Sequence, residues 1–220
     1  VRAGDGRRYG GRDARQRQVE RRGRLIDAGL DAFGRDGYAA SSVDLVCERA
    51  GLTKRYFYES FSDRERLLAT VFDQQIAVVR AAVADAVADA GEVVEDKIRA
   101  GLTALIDTIG ADPRRARVLL IEIVGVSPAL EARRREVMHQ FVDYIAALVR
   151  AEAGRLPADI LGIGVMVLVG GVTEVLVDQT LGHRRASTAD LVEIITALFM
   201  GGYRALAPRR EQAGKTTQVT

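Results

Sequence analysis

A chain of 220 residues, 48% hydrophobic and 28% charged, has the composition of a globular protein rather than a disordered one, and is long enough to bury one large core or a small and a medium one. The net charge of +2 hides an asymmetry: residues 1–24 hold nine arginines against Asp5, Asp13 and Glu20, so this arm carries +6 and the remainder −4. Cys47 is the one cysteine, which excludes an internal disulfide framework and fits a reducing compartment.

The basic arm has two readings: contact with nucleic acid or another anionic surface, or a solvated, disordered leader over residues 1–20. No apolar core follows it at signal-peptide spacing. The most apolar run, Ile160 to Val172, is thirteen residues between Asp159 and Glu174, short of the roughly 20 that a spanning helix needs. A buried helix, a cytoplasmic chain and no membrane partner are therefore expected.

Helical periodicity runs along almost the whole chain, and no segment sustains the alternation of a strand. Ile26, Leu30 and Phe33 recur at i, i+4, i+7 on a first helix that starts within the arm and stops at Gly37. Ser41-Ser42 can cap a short second helix with Val43, Val46, Cys47 and Ala50 on its apolar face, broken by Gly51. Thr53 can cap a third. Leu52 and Phe57 then have the spacing of a hydrophobic staple, and Phe57 and Phe61 share the buried side. Thr53, Lys54, Arg55 and Tyr58 are left on the outer side.

Ser62 and Glu65 have the spacing of a capping box for a fourth helix of about 28 residues, some 40 Å long. Leu68, Phe72, Ile76, Val79 and Val83 run down one side of it to Gly91. A domain boundary is expected within it, near residue 70. Beyond it lie a helix striped by Ile98, Leu102, Leu105 and Ile109, a central apolar run Val118 to Val126, and a helix opened by Ser127-Pro128 and lined by Met138, Phe141, Ile145 and Leu148. Gly154 and Pro157 end it. Two more helices, about 159–181 and 187–206, bring the total to about nine, and a polar, disordered tail over 208–220 closes the chain.

Two short helices joined by a Gly-containing turn and packed on a preceding helix form a helix-turn-helix, whose second helix enters the major groove. The stretch SSVDLVCERAGLTKRYFYESFSDRERLL closely resembles the DNA-binding signature of the TetR family of bacterial transcriptional regulators, over about residues 24–70. The resemblance implies an all-α fold: an N-terminal three-helix DNA-binding domain at 21–70 and a larger helical ligand-binding and dimerisation domain at 71–207. It also implies roles. Thr53, Lys54, Arg55 and Tyr56 would enter the groove, where a bidentate contact to a guanine edge discriminates by about 1–3 kcal/mol. Ser42, Tyr58 and Arg64 would hold backbone phosphates, which position without reading sequence.

Two departures matter. Arg55-Tyr56 stands where the family commonly has Gly-Thr, and Glu59 where a basic or aromatic residue is usual, so base readout cannot be transferred from a familiar member. Glu59 can accept from cytosine N4 or balance Arg55; the i,i+4 spacing favours the second. The arginine arm, which has no family counterpart, can add a minor-groove or phosphate contact.

The family also implies a homodimer on a palindromic double-stranded DNA operator. Gly162, Gly164, Gly170 and Gly171 cost helix propensity, which points to close helix packing, and Leu191, Ile194, Ile195, Leu198 and Phe199 would complete a four-helix interface. A largely aliphatic bundle suits a small apolar or amphipathic effector, with Glu122, His139, Gln140 and Tyr144 as candidate anchors. The expected activity is repression relieved by that effector, with the fourth helix as lever. An all-helical enzyme is the remote alternative: His139 and His183 have no metal spacing, Cys47 sits on an apolar face and no phosphate loop appears. No cofactor is implied. A helical protein-interaction or nonspecific nucleic-acid-coating module is the other.

Overall fold

The computed structural model describes the backbone of residues 6–153 and 157–206. The expected tail at 208–220, and Gly154 as a helix stop, lie outside the described residues. Nine α-helices and no strand occur among the described residues: α1 (Gly6–Asp36), α2 (Val43–Ala50), α3 (Lys54–Ser60), α4 (Arg64–Asp89), α5 (Val94–Gly110), α6 (Pro113–Arg117), α7 (Pro128–Ala153), α8 (Ala158–Thr180) and α9 (Thr188–Leu206). A π-helical turn, Val118–Glu122, continues α6.

The N-terminal elements follow their local chemistry. Ser42 caps α2 by accepting the Leu45 amide at 3.1 Å, and Gly51, in the left-handed region at φ 60, supplies the turn to α3. Phe57 and Phe61 are buried against Leu25, Ala32, Phe33 and Val46, as the staple spacing predicts. Three details differ. The expected disordered leader is helical from Gly6 onward, so α1 runs through the arm. Its buried stripe is Leu25, Ala28, Ala32 and Phe33, with Ile26 and Leu30 flanking it. Asp63, not Ser62, caps α4: its carboxylate accepts the Arg66 amide at 2.8 Å, while Glu65 instead accepts the Ser127 hydroxyl at 2.6 Å.

At 26 residues, α4 spans about 39 Å. Leu67, Leu68, Val71 and Phe72 on its first turns, then Val79, Val83 and Val87, all belong to one continuous apolar cluster that also includes Ile106, Val118, Ile123 and Leu176. The expected break near residue 70 is thus bridged by packing. A second cluster, Val94, Ile98, Val142, Ala146, Val149, Leu161, Val165 and Phe199, closes the far end.

The seam between the two ends is made by α1, α6 and the π turn. Gly34 is buried there, and a Cβ at this position would stand 2.6 Å from Arg114 Cα; only a residue without a side chain lets α1 approach α6 this closely. Arg115 Nε donates to the buried Gln75 of α4 at 2.9 Å, and Arg114 pairs with Asp31 of α1 at 3.2 Å.

The helix expected to be buried, α8, is only half so. Leu161, Val165, Val172 and Leu176 face the core, but Ile163 and Val167 are 66% and 69% exposed. Its 23 residues, like α4, are long and apolar enough to cross a membrane by length and composition. Both helices nonetheless give one face to the protein core, as helices of a folded bundle do.

Candidate nucleic-acid interface and effector cavity

The expected recognition helix, α3, is short and fixed from below. Phe57, fully buried, and Phe61 anchor it, and the Tyr58 ring stands edge-on to Phe57 at 5.3 Å with more than half of its surface exposed. Thr53 begins the helix in extended backbone without a side-chain cap bond, so its exposed hydroxyl is available to a partner. Lys54 projects beside Asp44 of α2 at 2.8 Å; the hydrogen bond to that carboxylate, reinforced by its charge, raises the Lys54 pKa and keeps the ammonium charged. Such an exposed pair holds weakly and can open for a phosphate or base. Arg55, 84% exposed, pairs with Glu59 at 3.0 Å, the balancing geometry rather than a free carboxylate.

Tyr56 and Arg64 are less available than expected. The Tyr56 ring lies under the Arg21 guanidinium of α1, 4.4 Å away. Arg64 turns inward: it donates to the Tyr38 carbonyl at 3.0 Å and to the Ser41 carbonyl, and stacks 4.8 Å over the Tyr38 ring. Its guanidinium therefore shapes the α1–α2 loop. Three arginines that sequence reasoning did not single out fasten α1 to the reading head. Arg21 covers Tyr56, Arg22 donates to Ser60 at 2.9 Å and lies 4.2 Å over Phe61, and Arg24 reaches the Ala50 and Gly51 carbonyls. Only the density of arginine in the arm hinted at them.

Glu122 is not a cavity anchor. From the π turn its carboxylate accepts the Tyr38 amide at 2.7 Å and Arg117 Nε at 2.7 Å, joining the bundle to the loop that Arg64 holds. His139 and Gln140 are exposed on α7, Gln140 bonded to Arg80. Tyr144 alone of the four candidates lines the cavity.

That cavity, about 150 Å³, lies among α4, α5, α7, α8 and α9. Its wall is aliphatic and aromatic, from Val83 and Leu102 to Phe141, Val169 and Leu176, with Lys97, Tyr144 and Thr173 as its polar side chains. Among the described residues, Lys97 is its one cation. Its ammonium stands 3.6 Å from Glu92 at the α4–α5 turn.

The expected dimer residues divide between two sides of α9. Leu191 and Phe199 are buried within the chain and Ile195 lines the cavity, because this side of α9 packs inward. Leu198 and its neighbour Ile194 are 64% and 56% exposed. Gly170 is half-buried and Gly171 exposed on α8. Ile163 and Val167 of α8 and Ile194 and Leu198 of α9 thus form an apolar outer surface.

Residues 25–71 match the model of the bacterial regulatory proteins of the tetR family. The chain is similar to the HTH-type transcriptional activator FasR of Mycolicibacterium smegmatis, 26% identical over 155 residues, 70% of each chain. Among solved structures, the fatty acid degradation regulator FadR of Bacillus halodurans superposes with a TM-score of 0.72 at 20% identity, over 84% of this chain and 96% of that one. The regulator FadR of Bacillus subtilis, solved with stearoyl-CoA, gives 0.71 at 15%, over 81% and 97%. All three of these proteins are transcriptional regulators. Residues 25–71 thus match a DNA-binding domain of the tetR family, and the chain has the fold of the regulators it resembles over most of its length.

Proposed function

We propose that the protein is a homodimeric repressor that leaves a palindromic operator when a long, apolar-tailed molecule with an anionic head, of the acyl-CoA or fatty-acid class, enters the bundle cavity. The observation that carries the effector class is the cavity wall itself, mostly aliphatic and aromatic, with Lys97 its one cation among the described residues. The stearoyl-CoA bound by the Bacillus subtilis regulator supports the same class. In this reading Thr53, Lys54, Arg55 and Tyr58 meet the operator, Ser42 adds a phosphate contact, and the cytoplasm is the site of action.

Size supplies a coupling. A cavity of about 150 Å³ holds a ligand of benzene size, so a long acyl chain enters only by parting α5, α7 and α8. An effector shifts the protein toward the parted state by no more than its differential affinity for that state. The route to the DNA runs along α4, which lines the cavity with Val83 and Val87 and supports the reading head with Leu67 and Leu68.

A second reading, activation, is favoured by the Mycolicibacterium relative, itself an activator. The test is operator selection from random duplexes, followed by anisotropy titration with acyl-CoAs of increasing chain length and transcription in vitro from the selected site. Release by long but not short chains, with transcription rising on release, is expected. Transcription that rises on binding would establish the activator, and no selected palindrome would leave a nonspecific binder.

A further inference from the structure

We propose that the arginine-rich first half of α1 is a second DNA-contacting element, holding backbone phosphates beside the recognition helix. The proposal rests on the DNA-regulator reading above but concerns residues outside the helix-turn-helix.

The helix is continuous from Gly6 to Asp36, yet among the residues whose burial is described, 14 onward, it serves the core only from Leu25. Residues 14–20 are all exposed, and Val19, the one aliphatic residue larger than alanine in that stretch, is 66% exposed. A helix with no apolar face has no core to join and needs another partner.

The direction of this half is set by three contacts to the reading head: Arg21 on the Tyr56 ring, Arg22 on Ser60 and Phe61, and Arg24 on the Ala50 and Gly51 carbonyls. Arg17, Arg21 and Arg24 fall at i, i+4, i+7, so Arg17 stands one turn beyond the arginine that covers the recognition helix. From Arg21 back to Gly6 the helix extends about 22 Å, the length of about six nucleotides of one strand.

Charge selects the partner. Residues 6–24 contain eight arginines against Asp13 and Glu20, an excess of positive charge that two carboxylates do not balance. Phosphates complement that excess, and guanidinium groups match them in bidentate geometry. The polyanion that the reading head itself engages is the one this helix reaches.

The test compares the full chain with a variant carrying Arg7→Gln, Arg8→Gln, Arg12→Gln, Arg15→Gln and Arg17→Gln. Glutamine keeps helix propensity and removes charge, and the three arginines that fasten α1 to the reading head, Arg21, Arg22 and Arg24, stay in place. Affinity is measured against salt on the selected duplex and on a scrambled duplex of equal length, with hydroxyl-radical footprints on the first. We expect the magnitude of the log–log salt slope to fall by about 0.9 for each phosphate that the variant no longer neutralises, and to do so for at least two phosphates per subunit on both duplexes. Protection should retract at the outer flanks while the selected sequence stays the same. A slope reduced on both duplexes, with no sequence selected by either protein, would keep this proposal and defeat the operator reading. Unchanged slopes on both would overturn it, and if the variant also failed to bind phosphatidylglycerol vesicles that the full chain binds, the helix would be assigned to a membrane surface instead.

Discussion

Glu122 accepts the Tyr38 amide at 2.7 Å across 84 residues of sequence. One oxygen of the carboxylate holds the loop between α1 and α2, and the other holds Arg117 at 2.7 Å. Arg64 stacks on the Tyr38 ring, so a single tyrosine is held from the bundle and from the first turn of α4.

Glu122→Gln should uncouple the two ends. The amide can still accept from Tyr38 but loses its charge toward Arg117, and hydrogen bonds to charged groups are worth about 1.5–3 kcal/mol. A fall in Tm of about 2–4 °C per kcal/mol is expected for a chain of this size. Effector-driven release should suffer more than operator affinity. Calorimetry and effector titration on the bound operator check this; parallel loss of both would show that the contact only stabilises.

Leu198→Arg should produce a folded monomer. Leu198 lies on the outer apolar surface with Ile194, Ile163 and Val167, where a charge disturbs an interface but not the core. Sedimentation should show a halved mass with unchanged helicity, and operator binding should collapse. Phe199→Ala, one residue away but buried, should cost about 3–5 kcal/mol of stability in the manner of a core truncation. A dimeric Leu198→Arg protein would refute the assignment of this face.

Lys97→Met should erase discrimination by head group. Loss of the one cation in the cavity wall is expected to weaken anionic ligands about tenfold, or roughly 1.4 kcal/mol, and to leave a neutral alcohol of equal chain length unaffected. Isothermal titration with the matched pair decides. Equal weakening of both would mean that the lysine only shapes the wall.

Acid should loosen the α1–α6 seam. The hydrogen bond from Arg114, with the backbone amide at the start of α6, holds Asp112 below its ordinary 3.8. At Asp31 burial pushes upward, but the bonds from Arg35 and Arg114 outweigh it and the net shift is down. A carboxylate depressed in the folded state stabilises fully above its unfolded value and loses that contribution as pH falls through the folded one. Stability should therefore be flat in these groups from pH 7 to about 5 and decline below 3.8. Asp112→Asn, which can still cap the helix, should show a shallower acid decline in urea midpoints. An identical decline would remove Asp112 from the account.

Much of the reading head was legible because its determinants are local. Ser42, Gly51, Leu52, Phe57 and Phe61 act through neighbours within a turn or two, and residue spacing expresses that directly. The bundle was less legible for a physical reason: α8 and α9 are apolar on more than one side, so periodicity announced a stripe without saying whether it faces the core or a partner. Leu191 and Phe199 consequently looked like interface, while Leu198 occupies the outer face. Glu122, set in an apolar run, resembled a ligand anchor because its partner lies 84 residues away. Lys97 went unmarked because a lone lysine on an amphipathic helix has the pattern of a solvated one.

The π turn at Val118–Glu122 gives this junction a property that α-helix alone lacks. A π turn contains one residue more than the α turn it interrupts, so the stretch between α6 and α7 carries a surplus position. Each residue passed along a helix turns the next by about 100°. Absorbing the surplus would swing Glu122 away from the Tyr38 amide while both flanking helices stay wound. The junction holds one position in reserve, and deletion of a single residue there is expected to break the Glu122–Tyr38 bond while the flanking helices stay folded.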